Sequence, residues 1–76
     1  MFVEILTPDN TLFSGEADLV TLPGSKGSFQ VKHNHAALIS SLNAGTIEVK
    51  SSASSNTFNV KGGLVEVLAN KVTVLV

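Results

Sequence analysis

The sequence predicts an all-β fold, a flattened antiparallel β-sandwich or barrel of about nine or ten short strands, and three observations predict it. Apolar and polar residues alternate with period two from one end of the chain to the other, as in strands whose two faces meet different surroundings. Turn-forming residues interrupt the alternation at intervals of about eight to twelve residues. No stretch of about eleven or more residues carries an apolar stripe at helical spacing between capping residues.

Each element follows in order. FVEILT (2–7) reads as a strand, and Pro8, Asp9 and Asn10 turn the chain into NTLFSG (10–15). Gly15 marks a break before EADLVTLPG (16–24), which stops at Pro23-Gly24. A tight Gly24-Ser25-Lys26-Gly27 turn then returns the chain as GSFQV (27–31), the arrangement of a hairpin. AALISSL (36–42) is the one segment where a helical turn competes with a strand. GTIEVKSSA (45–53), NTFNVKG (56–62), GLVEVL (63–68) and KVTVLV (71–76) follow, with turns at Asn43-Ala44-Gly45, Ser54-Ser55-Asn56 and Asn70. Gly62-Gly63, between apolar strands, signals a bend, a bulge, a close backbone approach or a sharp strand-to-strand turn. In KVTVLV, Val72, Val74 and Val76 face one way and Leu75 the other. One face fills a core; the other is expected to be covered, most simply by a partner chain.

With 76 residues the chain has room for one domain, residues 1–76. A chain of this size buries only about 60% of the surface that its unfolded state exposes, so a permanent partner would add to a small margin of stability. Charged residues make up 14% of the sequence, below the roughly 25% of ordinary soluble domains, which again suggests that part of the surface is covered. The net charge of −1 argues against nucleic-acid binding through phosphate contacts. The absence of cysteine removes thiol catalysis, disulfides and thiolate metal sites. No apolar run approaches the roughly 20 residues that span a bilayer, so no direct membrane insertion is expected, and the N-terminal residues lack the pattern of a signal peptide.

The stretch VKHNHAALI (31–39) places two histidines two positions apart. On a strand, His33 and His35 would point to one side, as a two-histidine metal site requires. Zinc needs three or four ligands, and the six acidic residues are scattered, so the reading favours turn or interface histidines and no metal. Its serines lack a nucleophile elbow, and Pro23–Gly27 lacks both the spacing of a phosphate loop and a following helix. No cofactor and no catalytic residue are expected.

Taken in order, TPDNTLFSGEAD, LPGSKGSF, HNHAALISSLNAGTI and FNVKGGLVEVLANKVTVLV make the whole chain resemble the N-terminal β-sandwich of the epsilon subunit of F-type ATP synthase, called delta in mitochondria. Relative to the family pattern, Asn34 stands where Gly is usual, Ala37 replaces Pro, Lys61 precedes Gly-Gly in place of a small residue, and Ser28 occupies a frequently acidic position. Asn is the residue after Gly that best tolerates positive φ, so the turn at 34 is expected to survive.

The resemblance implies a non-catalytic rotor subunit of the central stalk that joins gamma to the c-ring and couples proton transport to ATP synthesis. It implies a place on the cytoplasmic face of the bacterial inner membrane, peripheral and within the complex. Gly24, Gly27, Ser28, His33, His35, Ala36 and Leu38 are then the expected interface with the c-ring and gamma, and no ATP binding is expected. Many family members continue into a C-terminal pair of helices; this sequence stops at Val76, as a short form or a fragment would. A second class of protein is also all-β and roughly this size, a biotinyl- or lipoyl-type carrier with Lys26 at a hairpin tip as its attachment site. The Met or Asp usual beside such a lysine is missing. A sugar-binding sandwich is disfavoured by the lack of Trp and Tyr.

Overall fold

The computed structural model describes residues 1–76. It has nine strands: β1 (Phe2–Leu6), β2 (Thr11–Glu16), β3 (Leu19–Gly24), β4 (Gly27–Lys32), β5 (Leu38–Leu42), β6 (Gly45–Lys50), β7 (Ser55–Val60), β8 (Gly63–Leu68) and β9 (Lys71–Leu75). No helix occurs among these residues, and so none long and apolar enough to cross a membrane. The strands form one curled sheet in the order β2-β1-β9-β8-β5-β3-β6-β7, with β4 beside β3. The sheet folds over between β5 and β3, which share only the pair Gly24↔Leu42. One arm therefore holds β2, β1, β9, β8 and β5, the other β4, β3, β6 and β7. The body measures 27 × 24 × 19 Å, flattened as the sequence suggests.

Alternation selects the core. Val3, Ile5, Val65, Val67, Val72 and Val74 point inward from the first arm; Val20, Leu22, Val31, Ile47 and Val49 meet them from the second. These side chains are essentially inaccessible, and no polar side chain is buried with them. Each contributes about 1.5–3 kcal/mol through removal from water. Ten of the eleven are branched at Cβ, with few rotamers to lose and a good fit to a pleated surface. Where the two ends of the sheet approach, Phe13 of β2 meets Phe58 of β7 edge to face, with ring centroids 6.1 Å apart.

Three features depart from the simplest reading of the strand pattern. β1 and β9 run parallel, Phe2 opposite Lys71 and Leu6 opposite Leu75, within a sheet that is otherwise antiparallel. They belong to separate hairpins, β1–β2 and β8–β9, and side-by-side placement seals Val3 and Ile5 against Val72 and Val74. β3 begins at Leu19 and not at residue 16, because Ala17 N–H donates to Met1 O and Asp18 N–H to Lys50 O, drawing the link across the end of the sandwich and burying Ala17. The third feature is Gly62-Gly63, which carries the chain from one arm to the other: β7 pairs with β6, whereas β8 pairs with β5 and β9. Gly63 has φ 150°, and a Cβ there would run into the Leu75 carbonyl. Close backbone approach thus decides the residue.

Candidate functional site

The expected interface residues fall into two groups at opposite ends of β4. Gly24, Gly27 and Ser28 surround the two-residue tip of the β3–β4 hairpin, where Gly24 pairs with Gly27. Gly24 is buried, and a side chain there would collide with the Gly27 carbonyl and the Phe29 ring. The tip is pinned to β5: Ser25 N–H donates to Ser41 O at 3.0 Å, and the two hydroxyls lie 2.7 Å apart. Lys26 occupies the exposed tip, where the carrier reading requires a lysine.

His33, His35 and Ala36 lie in the loop after β4, and Leu38 begins β5. The length of β4, about 17 Å at roughly 3.3 Å per residue, separates them from the hairpin tip. His33 and Asn34 form a turn, so the two imidazoles do not project from one face of a strand. Asn34 has φ 59°, the left-handed conformation expected of the residue in the glycine position, and its N–H donates to Asn70 Oδ1 at 2.8 Å. The His33 ring bridges two elements. Its Nδ1 lies 2.9 Å from the Met1 amino group and its Nε2 3.0 Å from Asp18 Oδ1; with the amine donating to Nδ1, the Nε2–H donates to the carboxylate. His35 Nδ1 is 2.8 Å from Ala36 O. The two histidines are thus engaged separately, and no group of three or more His, Asp or Glu side chains converges anywhere on the chain. Met1, Asp18 and Asn70 hold this loop through contacts distant in sequence, for which the sequence carries no signal.

The most conspicuous surface lies elsewhere, on the outer side of the first arm. Ile39 is 68% exposed, Leu68 57%, Leu75 50% and Leu64 41%. Ile39, Leu64 and Leu75 wall a groove of about 160 Å³ with Glu66 and Thr73, and Leu75 continues into a shallower one with Leu6, Thr7, Pro8 and Val76. Contiguous apolar area of this kind on a small protein marks an interaction site. Leu75 was legible as the residue facing away from Val72, Val74 and Val76; that Ile39 and Leu64 join it required knowing that β8 lies between β5 and β9.

The chain is therefore an all-β module whose most conspicuous surface is an apolar outer face. It belongs to the family described as the ATP synthase delta/epsilon chain, β-sandwich domain, whose model matches residues 1–76. It is 36% identical over 73 residues to the ATP synthase epsilon chain of Leptospira borgpetersenii, covering 96% of this chain and 58% of that one. To the epsilon chain of Francisella tularensis subsp. tularensis it is 38% identical over 74 residues, covering 97% and 51%. The chain thus spans little more than half the length of these curated relatives. Its fold is shared with a chain in the central stalk and c-ring structure of the Tetrahymena thermophila mitochondrial ATP synthase (TM-score 0.83, 20% identity, 97% of this chain and 60% of that one). A chain in the Euglena gracilis mitochondrial ATP synthase structure shares it too (TM-score 0.88, 18% identity, 96% and 48%).

Proposed function

We propose that this chain is a non-catalytic rotor component of an F-type, proton-translocating ATP synthase. It joins the gamma subunit to the c-ring in the central stalk and passes rotation from proton transport to ATP synthesis. The observation that carries the reading is the family match over residues 1–76 in a chain whose first arm leaves an apolar outer face uncovered. Rotation transmitted through a small rigid sandwich needs no chemistry of its own. It needs burial against each neighbour and a body that resists shear, which a close-packed apolar core inside one continuous hydrogen-bonded sheet suits.

Gly24, Gly27 and Ser28 at one end, and His33, His35, Ala36 and Leu38 at the other, are proposed as the contacts with the c-ring and gamma. Because the length of β4, about 17 Å, divides them, a partner must reach about that far to touch both groups. The place of action is proposed as the cytoplasmic face of the bacterial inner membrane, peripheral and held through the complex. Lys26 is not a carrier lysine in this reading, which intact mass checks directly: the unmodified mass is expected.

The test is coexpression with gamma from the same organism. Gamma should co-purify with the chain and raise its melting temperature, since a ligand that binds only the native state adds RT ln(1 + [L]/Kd) to stability. No complex and no shift at tens of micromolar would overturn the proposal.

A further inference from the structure

We propose that the partner segment seated on the outer face of β5, β8 and β9 is apolar with one arginine or lysine, whose cation meets Glu66. This rests on the reading above that another chain covers this face, and it adds which chemistry that chain must bring. The register sets the outer side chains in rows across the strands: Leu64 opposite Leu75, which is opposite Leu6; Ile39 opposite Glu66, Thr73 and Glu4; and Leu68 opposite Lys71, which is opposite Phe2. An acidic row thus runs between two rows that are largely apolar.

The two acids of that row differ. Glu4 is paired with Lys71 at 3.2 Å, and the same ammonium lies 5.8 Å from the centre of the Phe2 ring, so Lys71 is committed to the β1 side. Glu66 takes part in none of the ion pairs or side-chain hydrogen bonds of the chain. It lines the groove with Ile39, Leu64, Thr73 and Leu75, and β5, β8 and β9 hold no cation besides Lys71. Uncovered, its carboxylate is hydrated and costs nothing. Once an apolar segment seats on Ile39, Leu64 and Leu75, water leaves the groove, and a carboxylate without a counter-charge opposes binding. A partner built to cover this face therefore carries a cation at that point. Arginine suits it best, since its planar guanidinium is weakly hydrated and can meet both carboxylate oxygens.

Panning a displayed random-peptide library against the chain tests the chemistry without any assumed partner. The expected winners have one Arg or Lys flanked by apolar residues. Their binding should fall roughly tenfold or more with Glu66→Gln, and further with Glu66→Lys, where like charges meet; Ile39→Ser should also weaken it, with the circular dichroism spectrum unchanged in all three. Winners without a basic residue, winners that bind Glu66→Lys as well as the parent chain, or self-association through this face that ignores Glu66 would each overturn the inference. The same variants assayed with gamma separate the two readings. Gamma that binds the parent and Glu66→Lys alike sinks the inference alone, whereas gamma that never binds, while the peptides still select a cation, sinks the rotor reading alone.

Discussion

The two outer faces of the sandwich are built by the same alternation and finished differently. On the second arm the outward positions carry polar side chains that satisfy one another across strands. Gln30 Nε2 donates to Thr21 Oγ1, Thr46 Oγ1 to Asn59 Oδ1 at 2.9 Å, and Ser55 Oγ to Glu48 Oε2 at 3.3 Å. On the first arm the equivalent positions hold Leu6, Ile39, Leu64, Leu68 and Leu75 around one ion pair. The second face is complete in water, as the solvated face of an antiparallel sheet commonly is. The first leaves large apolar side chains in water. A period-two pattern therefore fixes which residues point inward, while the chemistry at the remaining positions tells a solvated face from a docking face.

Substitutions should separate these layers, beginning with the core that both arms share. Leu22→Ala removes a fully buried side chain and should cost about 2–5 kcal/mol, read from urea unfolding; a loss below about 1 kcal/mol would mean that the arms pack less closely than the structure shows. Next in size is Gly63→Ala, at the start of β8. Its Cβ would strike the Leu75 carbonyl, and the φ of 150° adds strain of about 1–3 kcal/mol, so the melting temperature should fall by several degrees or more.

A third substitution probes the end of the sandwich. Asn34→Val should cost about 1–2 kcal/mol for a side chain forced into left-handed backbone, whereas Asn34→Gly should stay within about 0.5 kcal/mol, because the bond to Asn70 uses the main-chain N–H. Equal losses in the two variants would show that the Asn side chain, and not the backbone conformation, is what the site requires. The smallest effect on stability is the sharpest test of the two faces. Ile39→Ser and Thr57→Ala should each change stability by less than about 0.5 kcal/mol, as exposed positions usually do, yet only Ile39→Ser should weaken binding to gamma in a titration.

Local chemistry carried most of the fold into the sequence. Thr7–Asn10 closes as written, with Thr7 N–H donating to Asn10 O at 2.8 Å. The β3–β4 hairpin turns at Ser25-Lys26, and the glycine-like role of Asn34 followed from one residue type. What stayed hidden is long-range. Nothing near Phe2 announces Lys71 as its neighbour, and Gly62-Gly63 reads equally as a hairpin or as a passage between arms until the pairing of β8 is known. At the candidate interface, the family resemblance singled out both loops, but only the register of β4 shows that they lie at opposite ends. The apolar groove was half legible for the same reason: its walls come from β5, β8 and β9, and their adjacency is tertiary.

The parallel pairing of β1 with β9 also sets an order of events in time. β9 inserts between β1 and β8, and its contact with β1 closes the longest loop of any strand pair in the sheet. During synthesis the first strand made waits for the ninth. Until then β1 and β8 each offer a bare, largely apolar edge to any other nascent chain. Folding dominated by such distant contacts is slow, and for this sandwich the hazardous interval is the wait before its last strand is free.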